Sequence, residues 1–160
     1  MRLEKITVRN YKSLKNLTLD LGNFNVLIGP NNSGKTNILD CLSFLSDVTA
    51  GRPIQDVQRE RGEYDHIVFG GDIDENIEIK TYLASEKSKI TYNITFKEKK
   101  IISELLHADH KMLAHHDEKD VTLFTASGDQ IKRYNWADSV SFFDLQRDTE
   151  IKGEGVTRIH

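Results

Sequence analysis

The stretch Phe24-Asn25-Val26-Leu27-Ile28-Gly29-Pro30-Asn31-Asn32-Ser33-Gly34-Lys35-Thr36-Asn37-Ile38-Leu39-Asp40 decides how the rest of this chain is read. Its first five residues are dense in apolar side chains, the pattern of an inner strand covered on both faces. Its middle, Gly29–Thr36, satisfies G-x-x-x-x-G-K-[ST] in full. Its end opens an apolar series at helical spacing: Ile38, Leu39, Leu42 and Leu45, with Cys41 and Val48 close to the same stripe. The spacing predicts a helix from about Gly34 to about Ser46, over by Gly51 and Pro53.

Strand, glycine-rich loop and helix in that order are what phosphate binding requires. Gly29 and Gly34 let the backbone curl so that successive N–H groups turn inward, and the helix adds its own unpaired N–H groups and the positive end of its dipole. The sequence therefore predicts that Gly29, Pro30, Asn31, Asn32, Ser33, Gly34, Lys35, Thr36 and Asn37 surround the phosphates of a purine nucleotide, ATP. Lys35 is expected to span the β- and γ-phosphates as the one catalytic side chain in view, and the Thr36 hydroxyl to bind Mg²⁺. Asp40, one turn beyond Thr36, has two placements open to it: a hydrogen bond near the site, or solvent, which is the default. Cys41 reads as a small buried hydrophobe.

Around this motif the composition is that of an ordinary folded domain. The chain has 160 residues, 38% hydrophobic and 29% charged, and a formal charge of -3, so its surface as a whole does not invite nucleic acid. One cysteine excludes an internal disulfide and points to a reducing, cytoplasmic setting. Arg2-Leu3-Glu4-Lys5-Ile6 is no signal peptide, and no apolar run reaches the roughly 20 residues of a membrane span. Met1 reads as a natural start, which places any further sequence beyond residue 160.

Elsewhere the period is mostly that of strands. Leu3, Ile6 and Val8 suggest a first strand, turning at Asn10-Tyr11-Lys12-Ser13. Leu17, Leu19 and Leu21 share a face of a second. Residues 51–72 are polar, without a convincing period, and read as a surface connection with at most a short helix. Ile77, Ile79, Thr81 and Leu83 alternate, as do Ile90, Tyr92, Ile94 and Phe96. Ile101 to Leu106 fits a third strand. Val121-Thr122-Leu123-Phe124 and Ile131 to Trp136 flank a turn at Ser127-Gly128-Asp129 and predict a hairpin. Phe142-Phe143-Asp144-Leu145 is a last short apolar segment. The division expected is 1–50 for the opening strands, loop and helix, 51–72 for the connection, 73–145 for an antiparallel lobe and 146–160 for a tail. The fold class is α/β, a P-loop nucleotide-binding lobe with a mixed and antiparallel sheet, because a doubly wound domain would continue as strand–helix units instead.

The leading strand with Val8-Arg9-Asn10-Tyr11-Lys12-Ser13, the Leu17–Leu21 and Phe24–Ile28 strands, and Gly-Pro-Asn-Asn-Ser-Gly-Lys-Thr running into Asn37-Ile38-Leu39-Asp40 together resemble the amino-terminal lobe of ABC-type ATPase heads. The group is that of SMC, Rad50 and RecF, nearest to RecF-like and OLD-like AAA family ATPases. The resemblance is close over about the first 48 residues and architectural beyond them. It implies an ATPase head that pairs with the carboxy-terminal half of its own head and homodimerises around ATP, in a full-length protein that acts on DNA in repair, maintenance or phage defence. It also implies that Lys12, or Arg9 in its place, approaches the nucleotide. A metal-directed glutamine is implied at Gln146, with Gln130 as the alternative.

Some parts of the family pattern are not readable here. No Ser-Gly-Gly signature stretch occurs, and no four aliphatic residues end in Asp-Glu. Asp72, Asp74 and Glu75 follow glycines and read as a solvated face, while Asp144 is preceded by an interrupted strand and followed by Leu145. The expectation is a chain that binds ATP without turning it over unaided. His107, His110, His115 and His116, with Asp109, Asp117 and Glu118, could supply metal ligands but read as a solvated connection. Tyr92, Phe96 and Trp136 read as core. The alternative function is a transport-type nucleotide-binding subunit or a regulatory nucleotide-binding module; Asn10-Tyr11-Lys12-Ser13 favours the DNA-linked head.

Overall fold

The computed structural model describes residues 1–117, 119–135 and 141–144. Strands β1 (Arg2–Tyr11) and β2 (Leu14–Asp20) form a hairpin about Lys12-Ser13. The chain then leaves the sheet and returns as β3 (Ile77–Ala84), β4 (Lys89–Lys97), β5 (Lys100–Ala108), β6 (Lys111–Asp117), β7 (Asp120–Phe124) and β8 (Gln130–Asn135). Among the described residues these strands make one sheet in the order β2-β1-β3-β4-β5-β6-β7-β8, each neighbouring pair antiparallel. Short turns explain the meander from β3 onward, since antiparallel neighbours can be joined by tight hairpins. Among the described residues the one long connection, residues 21–76, carries the loop, the α-helices α1 (Lys35–Thr49), α2 (Ile54–Arg59) and α3 (Tyr64–Ile67), and a short 3-10 turn at Phe69–Gly71.

Alternation decides which face of the sheet is covered. Ile6 and Val8 of β1, Ile77 and Ile79 of β3, and Ile94 and Phe96 of β4 are buried, and they meet Cys41, Phe44, Leu45 and Val48 of α1 in one core. Phe44 is the wedge. Its ring stacks on Phe96 at 5.0 Å and meets the edge of Tyr11 at 5.7 Å, joining α1 to β4 and β1. The buried stripe of α1 is therefore Cys41, Phe44, Leu45 and Val48, rotated from the expected one, and Leu39 is 62% exposed. The helix also runs on to Thr49, three residues past the expected end.

Three further expectations are corrected. The Phe24–Ile28 segment forms no strand and joins no sheet among the described residues; Phe24 is 86% and Ile28 90% exposed. A strand's backbone groups need neighbours, and the antiparallel sheet offers it none. Residues 51–72 are more than a surface connection. Ile54, Val57, Tyr64, Ile67 and Val68 are buried, and Gln58 hydrogen-bonds the Glu98 carbonyl, so this segment closes one end of the core. The histidines belong to the ordered sheet, three on strands and His110 in the turn between β5 and β6. His115 and His116 belong to β6, while His107 and His110 line a groove of about 650 Å³ with Lys5, Lys80 and Tyr82.

His116 faces inward beside Glu104, its cross-strand partner, and both are fully buried. Their nearest atoms, His116 Nδ1 and Glu104 Oε2, are 3.3 Å apart. The carboxylate also accepts from the Tyr92 hydroxyl at 2.6 Å, from Ser141 Oγ, and from the Phe142 N–H at 2.9 Å. That set satisfies the buried carboxyl oxygens and ties the short helical turn Phe142–Asp144 to the sheet. Burial pushes the Tyr92 hydroxyl well above its usual value, and Glu104 pushes the same way. Tyr92 and Phe96 are core residues as expected, and Trp136 lies outside the described residues.

Phe44→Ala tests the wedge. Removing a fully buried aromatic with two ring partners is expected to cost about 3–5 kcal/mol in urea unfolding. A loss under about 1 kcal/mol would show that α1 docks by other means.

Candidate nucleotide site

The loop is held from below by the β1–β2 turn. Gly34 adopts φ 89°, and a β-carbon there would stand 2.9 Å from Ser13 Oγ and 3.2 Å from Leu14 Cδ2. Only glycine meets both conditions, a left-handed backbone and no room for a side chain. Ser13 Oγ in turn accepts a hydrogen bond from Asn37 Nδ2 at 2.8 Å. Asn37 thus fastens the first turn of α1 to the hairpin. The expected segment Asn10–Ser13 is strained where it turns, with Asn10 at φ 56° and Lys12 at φ 49°. The Lys12 N–H donates to the Ile67 carbonyl at 2.7 Å, which fixes its backbone.

At the amino end of α1 no side chain caps the helix and no acidic residue occupies the first turn. Free N–H groups at the end of a 15-residue helix leave a field suited to an anion. Gly29, Pro30, Asn31, Asn32 and Ser33 are exposed, as is Thr36, so the loop is an open cradle. Lys35 bends back across it, its ammonium donating to the Gly29 carbonyl at 2.7 Å, the Pro30 carbonyl at 2.5 Å and Ser33 Oγ at 3.2 Å. The donor set, backbone N–H groups, one lysine and one hydroxyl on the helix, fits a polyphosphate and its divalent cation.

Asp40 is the residue that sequence reasoning underrated. It is no solvated side chain but the meeting point of three segments. Its Oδ2 lies 2.7 Å from the Tyr11 hydroxyl and 2.7 Å from Lys12 Nζ, and its Oδ1 is 3.5 Å from Arg61 Nε. Arg61, only 10% exposed, also binds Asp47 at 2.6 Å and Ser43 at 3.1 Å, and lies over the Phe44 ring. Burial works against the Asp40 carboxylate, but hydrogen bonds from Lys12 and Tyr11 and the charges of Lys12 and Arg61 outweigh it and hold the carboxyl below its ordinary range. Burial, then the Asp40 hydrogen bond and charge, raises the Tyr11 hydroxyl. Burial pushes the Cys41 thiol up to about 12, with Asp40 adding to it, as befits an inert core cysteine. A carboxylate four residues after the loop threonine was the available signal; Arg61 gave none.

Residues 29–37 form one continuous loop and first helical turn, and Lys12, next to Ser13 in the hairpin turn, pairs with Asp40. Arg9 is not at the loop: it projects beside Glu78 at 3.8 Å on the sheet. Gln146 lies outside the described residues, and Gln130 starts β8. Asp72, Asp74 and Glu75 are exposed.

Such a loop on such a helix defines a P-loop nucleotide-binding fold of mixed α/β type. The family model of the AAA ATPase domain matches residues 1–153, and the chain belongs to that family. It is similar to the chromosome partition protein Smc of Methanocaldococcus jannaschii, 43% identical over 54 residues, 33% of this chain and 5% of that protein. It is also similar to the DNA replication and repair protein RecF of Lactobacillus acidophilus, 36% identical over 108 residues, 63% of this chain and 25% of that protein. Endonuclease GajA of Bacillus cereus is 40% identical over 47 residues, 29% of this chain and 8% of that protein. The chain therefore spans between 5% and 25% of the length of these curated relatives. A solved chain from work on the ATP-driven dimerization and DNA-stimulated activation of SMC ATPases is similar at 17% identity, with a TM-score of 0.48, over 70% of this chain and 72% of that one. Among the described residues no helix is long and apolar enough to cross a membrane.

The depressed Asp40 carboxyl has a consequence for stability. Its native form keeps its charge to lower pH than the unfolded chain does. The stability it confers is fully present above about pH 5 and is lost as pH falls through about 4 toward its folded value. In thermal melts the gap between wild type and Asp40→Asn is expected to be widest near neutral pH and to close below about pH 4. A gap that is constant with pH would show that the charge of Asp40 is not what stabilises.

Proposed function

We propose that residues 29–37 bind the phosphates of ATP with Mg²⁺, and that the chain is the amino-terminal lobe of a RecF- or SMC-like ATPase head. One observation carries this reading: the full G-x-x-x-x-G-K-[ST] loop seats its second glycine against the β1–β2 turn and leads into an uncapped helix. In this reading Lys35 and the inward N–H groups hold the phosphates, Thr36 binds the metal ion, and Gln146 is a second candidate for it. Bound ATP supplies a phosphoryl group and the free energy of its transfer. Lys12 lies within reach as a further phosphate contact.

The exposed apolar segment Phe24–Ile28, with exposed Leu39 on α1, supports a second part of the proposal. Further strands, from the carboxy-terminal half of the same head, pair with Phe24–Ile28 and cover that surface. Those strands are also where an acidic pair for water activation belongs, and a second head closes over the nucleotide. RecF and Smc are named for DNA replication, repair and chromosome partition, which supports a DNA-directed, cytoplasmic role for the full-length protein in repair, maintenance or phage defence.

Calorimetry tests the site. ATP–Mg²⁺ is expected to bind, and Lys35→Ala to weaken it by about 10- to 100-fold, the worth of a charge-assisted contact. Equal affinities would remove the assignment, and GTP run beside ATP reads base preference. Steady-state phosphate release tests the division of labour. Residues 1–160 are expected to turn over far more slowly than a gene product extended beyond residue 160. Comparable rates, abolished by Lys35→Ala, would place the catalytic carboxylate among Asp72, Asp74, Glu75 and Asp144.

A further inference from the structure

We propose that Asp40 is the resting counter-ion of Lys12, storing this lysine beside the phosphate loop and releasing it to a bound polyphosphate, so that Asp40 sets both nucleotide affinity and the preference for longer phosphate chains. The inference rests on the reading of residues 29–37 as a phosphate site.

Three cationic or hydroxyl groups converge on Asp40, and only one of them is free to leave. The Tyr11 ring is fully buried against Phe44. Arg61 is fastened by Asp47, by Ser43 and by the Val57 carbonyl at 3.0 Å. Lys12 has Asp40 as its ion partner at 2.7 Å, and its side chain is 22% exposed. The Lys12 backbone is pinned by the Ile67 carbonyl, so any movement is that of its flexible four-carbon stem.

The position of the stem makes the exchange short. Ser13, the next residue, touches the place a Gly34 side chain would fill and holds Asn37. Asp40 stands one helical turn beyond Thr36, on the same face of α1. Lys12 is therefore stored one turn below the loop hydroxyl. Release leaves no orphan, because Asp40 keeps the Tyr11 hydroxyl at 2.7 Å and the Arg61 charge at 3.5 Å. A carboxylate left with two partners costs little, whereas one left bare and half-buried would cost much. A polyphosphate carries more charge than this shared carboxylate and competes for the ammonium on favourable terms. Lys35 differs in kind: it rests on neutral carbonyls and a hydroxyl, so no counter-charge restrains it.

The test is a double-mutant cycle read by calorimetry with ATP, ADP and AMP. Asp40→Asn is expected to tighten ATP about two- to fivefold, the worth of an exposed-to-half-buried ion pair. The gain shrinks through ADP and vanishes for AMP. Lys12→Met is expected to weaken ATP about tenfold, and in its background Asp40→Asn has no effect on ATP affinity. A purely structural Asp40 would shift the three nucleotides alike and ignore Lys12. Unchanged or weaker ATP binding by a folded Asp40→Asn, or a gain equal for AMP, overturns the proposal. Should Asp40→Asn fail to fold, the ε-methylene signal of Lys12 in the wild-type chain decides. It is expected to move on adding ATP–Mg²⁺ and not AMP, and a signal indifferent to ATP overturns the exchange. Lys35→Ala separates the two readings. If it binds ATP as the wild type does, the phosphate site itself falls; if it weakens ATP while the cycle shows no coupling, only the role of Asp40 falls.

Discussion

Gly34 sits at φ 89° with Ser13 Oγ and Leu14 Cδ2 where its side chain would be, and much of the architecture follows from that close approach. The hairpin of β1 and β2 comes up against the loop at the point where the loop becomes a helix. Asn37 bonds to Ser13 across the seam, and Asp40, one turn later, reaches Tyr11 and Lys12 on the same hairpin. One turn of β-hairpin therefore positions the loop, the first helical turn and the carboxylate that follows. Phe44 completes the arrangement a turn further on by entering the core between Tyr11 and Phe96. A loop that has to present several N–H groups in one direction needs such backing, because a free glycine-rich segment has many other conformations to occupy.

Legibility in the sequence followed the range of the interactions. The loop was fully readable, because its requirements are local: two glycines, a lysine and a hydroxyl at fixed offsets. The strands from Ile77 to Phe96 were readable from alternation alone. β6 was missed because Lys111–Asp117 is rich in histidine and charge, and the one inward histidine is tolerated only through Glu104 on the neighbouring strand. Glu104 in turn depends on Tyr92 and on residues 141–142. No window of local sequence contains that set. The 51–72 segment was misjudged for a related reason: Ile54, Val57, Tyr64 and Ile67 are too few and too widely spaced for a period, yet each fills the end of a core built by other elements.

The same distinction separates the site residues. Residues 29–37 announce themselves, whereas Arg61 reaches Asp40 from beyond α2 and carries no motif. Its burial is offset because Asp47, Ser43 and the Val57 carbonyl accept from its two terminal nitrogens and Phe44 lies beneath its plane. Charge at this site is thus balanced by pairing within the fold, and the near-neutral composition of the chain gave no hint of where opposite charges meet.

The Phe24–Ile28 segment shows the limit of reading burial from apolarity. Its composition asked for an inner strand, and its side chains are instead among the most exposed apolar groups of the described residues. Apolar density states a demand; only a partner satisfies it. The segment leads directly into Gly29, so whatever pairs with it also sets the direction from which the loop is entered. Phosphate binding, in the reading proposed here, needs only the N–H groups, lysine and hydroxyl of residues 29–37. Phosphoryl transfer needs, in addition, a group that orients water and charge that stabilises the departing oxygen. Strands added at Phe24–Ile28 would lie beside the loop and bring new side chains to it, which is the physical reason that completing the sheet and completing the catalytic site are one event in the head proposed here.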